Sequence, residues 1–279
     1  MHHPIGVLAS RPVIAAEADL LALDALRLLS AQGAARLVVL EGSAPVGILT
    51  ERDMVFAANW AVGQPSLRIR EVVSKPVLTV SADMTLAEAC RLFRDGEVGH
   101  LVVLGARMEM AGLFSRAELV QALKHTLFNG IPTIASLMSR RVLRVSHDDS
   151  ARRALALMAS HAISGVVVVT GEKPLGVFSE HDAIRLVAGG SDLAGMTVGD
   201  AMTAPALTIA AAAAPSRAID LMREHAVRRL VVVDERGLAA GMLTQTDLGR
   251  VLELPGVAPL DRFPRPEHPV PAGNVAVFL

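Results

Sequence analysis

Gly47-Ile48-Leu49-Thr50-Glu51-Arg52-Asp53 decides the fold, because it returns three times along the chain. The copies are Gly112-Leu113-Phe114-Ser115-Arg116-Ala117-Glu118, Gly176-Val177-Phe178-Ser179-Glu180-His181-Asp182 and Gly241-Met242-Leu243-Thr244-Gln245-Thr246-Asp247. Their leading glycines are spaced by 65, 64 and 65 residues, which makes the chain four copies of one unit. Just upstream of each copy is an apolar run: Leu37-Val38-Val39-Leu40, Leu101-Val102-Val103-Leu104, Val166-Val167-Val168-Val169 and Leu230-Val231-Val232-Val233. Runs this short and continuous read as strands buried on both faces. Before each run lies an amphipathic stretch, such as 83–94 with Leu86, Ala89, Cys90 and Phe93 at helical spacing. A short β segment opens each unit at Ser10, Ser74, Ser139 or Thr203, and helical pattern returns at 54–60, 119–125, 183–187 and 248–252. Each unit is therefore β-α-β-β-α, and the fold class is α+β.

A unit with this period is too small to bury a comfortable core alone, so the units are expected to pair. The expected units are 1–62, 63–128, 129–190 and 191–254. Phe128-Asn129-Gly130-Ile131-Pro132 punctuates the centre and divides the chain into two pairs. Lesser breaks fall at Gly63-Gln64-Pro65 and Gly189-Gly190-Ser191-Asp192. Six of the 15 prolines lie in 255–279, which predicts an extended, mobile tail.

Lys plus Arg number 27 against 28 Asp plus Glu, so no overall positive field exists to draw in nucleic acid. Hydrophobic residues make up 52%, an excess expected to be buried between units or subunits. Cys90 is the lone cysteine, which excludes an intrachain disulfide and a Cys-rich zinc site and suits a reducing compartment. No apolar run has the ~18 residues of a membrane span, and the first residues lack a secretory pattern. A cytoplasmic protein is expected.

The repeated strand followed by Gly-hydrophobic-x-Thr/Ser-x-x-Asp resembles the CBS-domain family, named after cystathionine β-synthase. The resemblance covers roughly residues 5–254. It implies that units pack in pairs through their sheets as two Bateman modules, with clefts that take adenosine-containing ligands. Carried over by position, Asp53, Asp182 and Asp247 would accept ribose hydroxyls, with Thr50, Ser179 and Thr244 directed at phosphate. The chemistry is consistent: one carboxylate can receive both hydroxyls of a vicinal diol, and a helix start favours anions. The glycine would let the backbone approach the ligand. Ser10, Ser74, Ser139 and Thr203 match another cleft-lining position, and adenine would lie along windows 34–37, 98–101, 163–166 and 227–230, the last including Val227. Arg36 and Arg52 in the first unit, and Arg228 and Arg229 in the fourth, supply charge for phosphate. In the third unit His181 stands beside Asp182, and small Ser164 and Gly165 predict the most open pocket. Glu118 departs from the pattern, which puts the second unit's site in doubt.

Thr/Ser-x-x-Asp/Glu is also a helix capping box that binds nothing but its own backbone, and that reading stands beside the ligand reading. His161 and His225 follow helices and are expected to carry an unusual backbone angle there. No metal site is expected, since neither histidine has a spaced partner ligand. No P-loop, Gly-x-Ser-x-Gly or Gly-x-Gly-x-x-Gly is present, so a regulatory protein rather than an enzyme is expected. Its regulatory ligand would be AMP, ADP, ATP, S-adenosylmethionine, NAD or a cyclic dinucleotide. Its output would be a protein effector in trans, and a homodimer is the expected assembly. The alternative is a structural or oligomerisation module with degenerate sites.

Overall fold

The computed structural model describes residues 4–55, 66–73, 77–95 and 98–253. The tail at 255–279, Ser74 and the break at 63–65 lie outside the described residues. The first unit runs β1 (Ala15–Glu17), α1 (Ala22–Gln32), β2 (Arg36–Glu41), β3 (Ala44–Thr50) and a helix opening at 51–55. The second has β4 (Leu78–Ser81), α2 (Leu86–Asp95), β5 (His100–Leu104), β6 (Met110–Ser115) and α3 (Arg116–Leu127). The third has β7 (Arg144–Ser146), α4 (Ala151–Ser160), β8 (Gly165–Thr170), β9 (Lys173–Ser179) and α5 (Glu180–Ala188). A short α6 (Val198–Ala201) leads into β10 (Thr208–Ala210), α7 (Pro215–Glu224), β11 (Arg229–Val233), β12 (Ala239–Thr244) and α8 (Gln245–Gly249).

Each sheet has three strands with the apolar run in the middle, parallel to the first strand and antiparallel to the third. Alternation sends the run's side chains to two cores. Leu37 and Val39 face the helices, whereas Val38 and Ile48 meet Val102, Leu104 and Leu113 of the second sheet. Val167 and Val169 meet Val231 and Met242 in the same way. Units one and two thus pair sheet to sheet, as do three and four. Leu26, Leu29 and Met54 then join Ala183, Ile184 and Leu186 in one core, and Phe93 and Leu119 join Met222, Leu248 and Leu252 in another. The two pairs therefore close on each other through helices within one chain.

The segment leading each unit does not stay with it. Gly6 N–H donates to Ala82 O at 2.9 Å and Ser10 bridges Leu113, so the first unit's arm lies on the second unit. Ile69 N–H donates to Leu20 O at 3.0 Å, Ile134 N–H to Ala213 O at 2.9 Å, and Val198 N–H to Asp149 O at 2.7 Å. Every arm crosses to its pair partner. The strands expected to start at Ser10, Ser139 and Thr203 accordingly start later, at Ala15, Arg144 and Thr208, because those three residues are bridged to the partner's sheet.

The glycine opening the recurring heptad makes room for the crossing arm. A Cβ at Gly176 would lie 2.7 Å from Thr203 O, and one at Gly241 would lie 2.8 Å from Ser139 O. The crossing arm approaches the backbone closely at these glycines. The last helices also start earlier than expected, at 51, Arg116, Glu180 and Gln245, since the heptad's final residues form their first turn. His161 and His225 have ordinary φ values of −100° and −101°; the left-handed residues after these helices are Ala162 at 51° and Ala226 at 52°, which correspond to Gly33 at 57°.

Candidate functional site

Thr50, Ser115, Ser179 and Thr244 end their strands and stand just before helices whose first N–H groups lack intrahelical partners. The carboxylate three residues on turns one oxygen back to this hydroxyl and its N–H. Asp53 Oδ2 accepts from Thr50 N at 2.8 Å and Thr50 Oγ1 at 2.7 Å, and Asp247 Oδ2 does the same for Thr244 at 2.8 and 2.7 Å. Asp182 caps Ser179 at 2.9 and 2.6 Å, and Glu118 caps Ser115 through both groups. Capping is common to all four, so it does not set Glu118 apart.

The second oxygen distinguishes the units. Asp182 Oδ1 accepts from Thr203 Oγ1 at 2.6 Å, and Asp182 is 1% exposed. Glu118 Oε1 accepts from Ser10 Oγ at 2.6 Å and pairs with Arg36 at 3.3 Å. Burial works to raise the Glu118 pKa, but Arg36 and the two serine hydroxyls outweigh it and hold it below the ordinary value. Asp247 Oδ1 pairs with the exposed Arg250 at 3.3 Å.

Two adjoining cavities lie between the modules. An outer one of about 510 Å³ is walled by Val120, Ile219, Met222, Val227 and Leu248, with Ser10 and Glu118 supplying polar groups. A central one of about 530 Å³ is lined by all four units. Ala117, Arg228 and Gln245 border both. Among the described residues, five arginines line the central cavity, Arg36, Arg52, Arg116, Arg228 and Arg229, against two carboxylates, Glu51 and Glu180. Such an excess of guanidinium donors favours oxyanions. His100, also in the lining, is pushed down to about 4 by burial and by the charge of Arg36, so it adds no charge at neutral pH. Burial raises the Glu180 carboxyl despite Arg52 at 3.7 Å. No group of His, Cys, Asp and Glu suited to a metal ion occurs among the described residues.

The CBS domain model matches residues 5–59, 69–125, 134–189 and 198–253. The chain belongs to the CBS-domain family. The inosine-5'-monophosphate dehydrogenase of Korarchaeum cryptofilum is 30% identical over 187 residues, 67% of this chain but 34% of the dehydrogenase. The chain spans about a third of the length of the first such relatives, and its matched part is made of CBS repeats, so it takes no catalysis from them. Protein MJ1225 of Methanocaldococcus jannaschii, described as an archaeal homolog of g-AMPK, superposes with a TM-score of 0.72 at 18% identity, covering 88% of this chain and 99% of its own. That likeness extends the shared fold over all four CBS repeats. A CBS domain protein of Pyrobaculum aerophilum, PAE2072, is complexed with AMP; it covers 41% of this chain and 88% of its own at 24% identity with a TM-score of 0.39.

Among residues singled out from the CBS pattern, Arg36, Thr50, Arg52, Ser164, Arg228, Arg229 and Thr244 come together around the central cavity. Ser10, Val227 and Arg228 line the outer one. Asp53, Ser139, Gly165, Ser179, His181, Asp182, Thr203 and Asp247 are in neither lining. The space expected at Gly165 is taken by the Arg229 guanidinium, which donates to Ser164 O, while Ser164 still lines the central cavity. His181 turns to Glu51, 3.0 Å from its Oε1. Sequence reading missed Glu51, Arg116 and Glu180, had His100 only within its 98–101 window, and doubted Glu118, which borders a cavity. The signal available was positional, for Glu51 and Glu180 occupy the same place in the heptad. Among the described residues, no helix is long and apolar enough to cross a membrane.

Proposed function

We propose that this CBS protein is a regulatory sensor of adenine nucleotides, AMP, ADP or ATP, whose nucleoside occupies the outer cavity and whose phosphates reach the central one. The observation that carries this reading is the junction itself. An apolar pocket bordered by the Glu118 carboxylate, which would meet ribose by releasing Ser10 or Arg36, shares Ala117, Arg228 and Gln245 with a cavity lined by five arginines. S-adenosylmethionine suits it less, because a sulfonium would bring positive charge toward guanidinium groups. The walls come from units two and four, so a ligand here contacts both modules and favours one closure over another. A protein effector in trans would read that closure, in a cytoplasmic, homodimeric setting. The residues proposed to bind are Ser10, Arg36, Glu118, Val227, Arg228 and Arg229. Asp182 would join them only by releasing Thr203.

Thermal melting of the full chain against adenosine, AMP, ADP, ATP and S-adenosylmethionine tests this. Ligand at a hundred times its Kd adds about 2.7 kcal/mol of stability, with phosphate-bearing compounds ahead of adenosine. A flat response to all five would favour a structural module. The Arg229 guanidinium filling the space at Gly165 and the fully engaged Asp182 are the features that support that second reading.

A further inference from the structure

Glu51 and Glu180 hold the same position in units one and three, and both are buried, at 3% and 7% exposure. Their partners differ. Glu180 has Arg52 at 3.7 Å. Glu51 is gripped from both units of the opposite module: His181 Nδ1 is 3.0 Å from Oε1, and the Arg228 guanidinium donates to Oε2. Burial opposes ionisation of Glu51, yet His181 and Arg228 together hold it below its ordinary value. An ionised carboxylate of one module therefore sits on an arginine of the other, and that arginine borders both cavities.

We infer that Glu51 is a built-in competitor: a phosphate oxyanion arriving in the central cavity takes Arg228 from the Glu51 carboxylate and so loosens a tie between the two modules. A phosphate offers more negative charge and more acceptor oxygens than one carboxylate, and the cavity's arginine excess favours the exchange. No new contact is needed on Arg228, only a change of partner. Affinity is then set by the difference between ligand and Glu51 as occupants of the same guanidinium. The inference deepens the nucleotide reading by naming what its phosphates displace, but it requires no nucleoside.

Calorimetric titration of the full chain with inorganic pyrophosphate tests it separately. Glu51→Gln should tighten pyrophosphate binding by about tenfold, whereas Glu180→Gln, the same substitution in the same cavity, should alter it less than about threefold. Arg228→Gln should abolish the heat, and Arg228→Lys, which keeps the charge without the planar fork, should weaken it; melting curves confirm that each variant is folded. Equal tightening by the two glutamine variants would reduce the effect to general charge and overturn the inference. So would no change in Glu51→Gln, or no pyrophosphate binding by either wild type or Glu51→Gln. Parallel titrations with adenosine, AMP and ADP separate the two readings. Pyrophosphate behaviour as described with adenosine and nucleotides adding nothing sinks the nucleoside pocket alone, and nucleotide binding indifferent to Glu51 sinks the competitor alone.

Discussion

Ala162 and Ala226 sit at φ near 51° and 52° just past α4 and α7, where the first unit uses Gly33. A left-handed conformation costs an L-residue with a Cβ roughly 1–2 kcal/mol. Ala162→Gly and Ala226→Gly should each raise stability by about 1 kcal/mol, since relief of that strain outweighs the added freedom of the unfolded chain; denaturant midpoints read the gain. His100 carries a second prediction at this scale. Its folded value, about 4, lies below the ordinary 6.5, owing to burial and Arg36. Between those values the unfolded chain binds a proton that the folded chain refuses, so stability is complete above pH 6.5 and falls as pH drops toward 4. The slope reaches at most about 1.4 kcal/mol per pH unit. His100→Gln should flatten stability against pH in this window relative to wild type; an unchanged slope would show that other groups cause it.

At the level of elements, the crossing arms impose the tightest packing. Gly241→Ala would push a methyl to 2.8 Å from Ser139 O and 2.9 Å from Met138 Sδ, and overpacking of this kind costs about 1–3 kcal/mol. Hydrogen exchange should show the loss in 134–139 and β12 together, because arm and strand are bridged there; loss confined to β12 would contradict the coupling. The β-α-β-β-α order was legible in the chain because each element has its own periodicity: Val166 to Val169 as a buried strand, Cys90 and Phe93 as one helix face. The arms were not. Ser10 looks the same whether it starts its own strand or lies on its neighbour's, since a contact across 108 positions to Glu118 leaves no local pattern. The central cavity was half legible for a related reason. Arg36, Arg228 and Arg229 stood out as charges beside buried strands, whereas Glu51 and Arg116 resemble ordinary first-turn residues until four units converge.

Considering the molecule as a whole, the helix cores join unit one to three and two to four, while the sheet cores join one to two and three to four. Each unit shares apolar surface with two others, so neither module can open fully without exposing the other's helices. Scanning calorimetry of the full chain should give one transition with matching calorimetric and van't Hoff enthalpies; two resolved peaks would mean that the modules melt independently. The crossed arms also govern how the protein comes into being. A nascent chain emerging from the ribosome cannot complete its first quarter until 66–73 has followed, and 4–10 must wait for 82–85 and β6 to be made. Synthesis therefore yields folded material by halves, and the first half waits with its greasy helix faces bare until the second arrives to cover them.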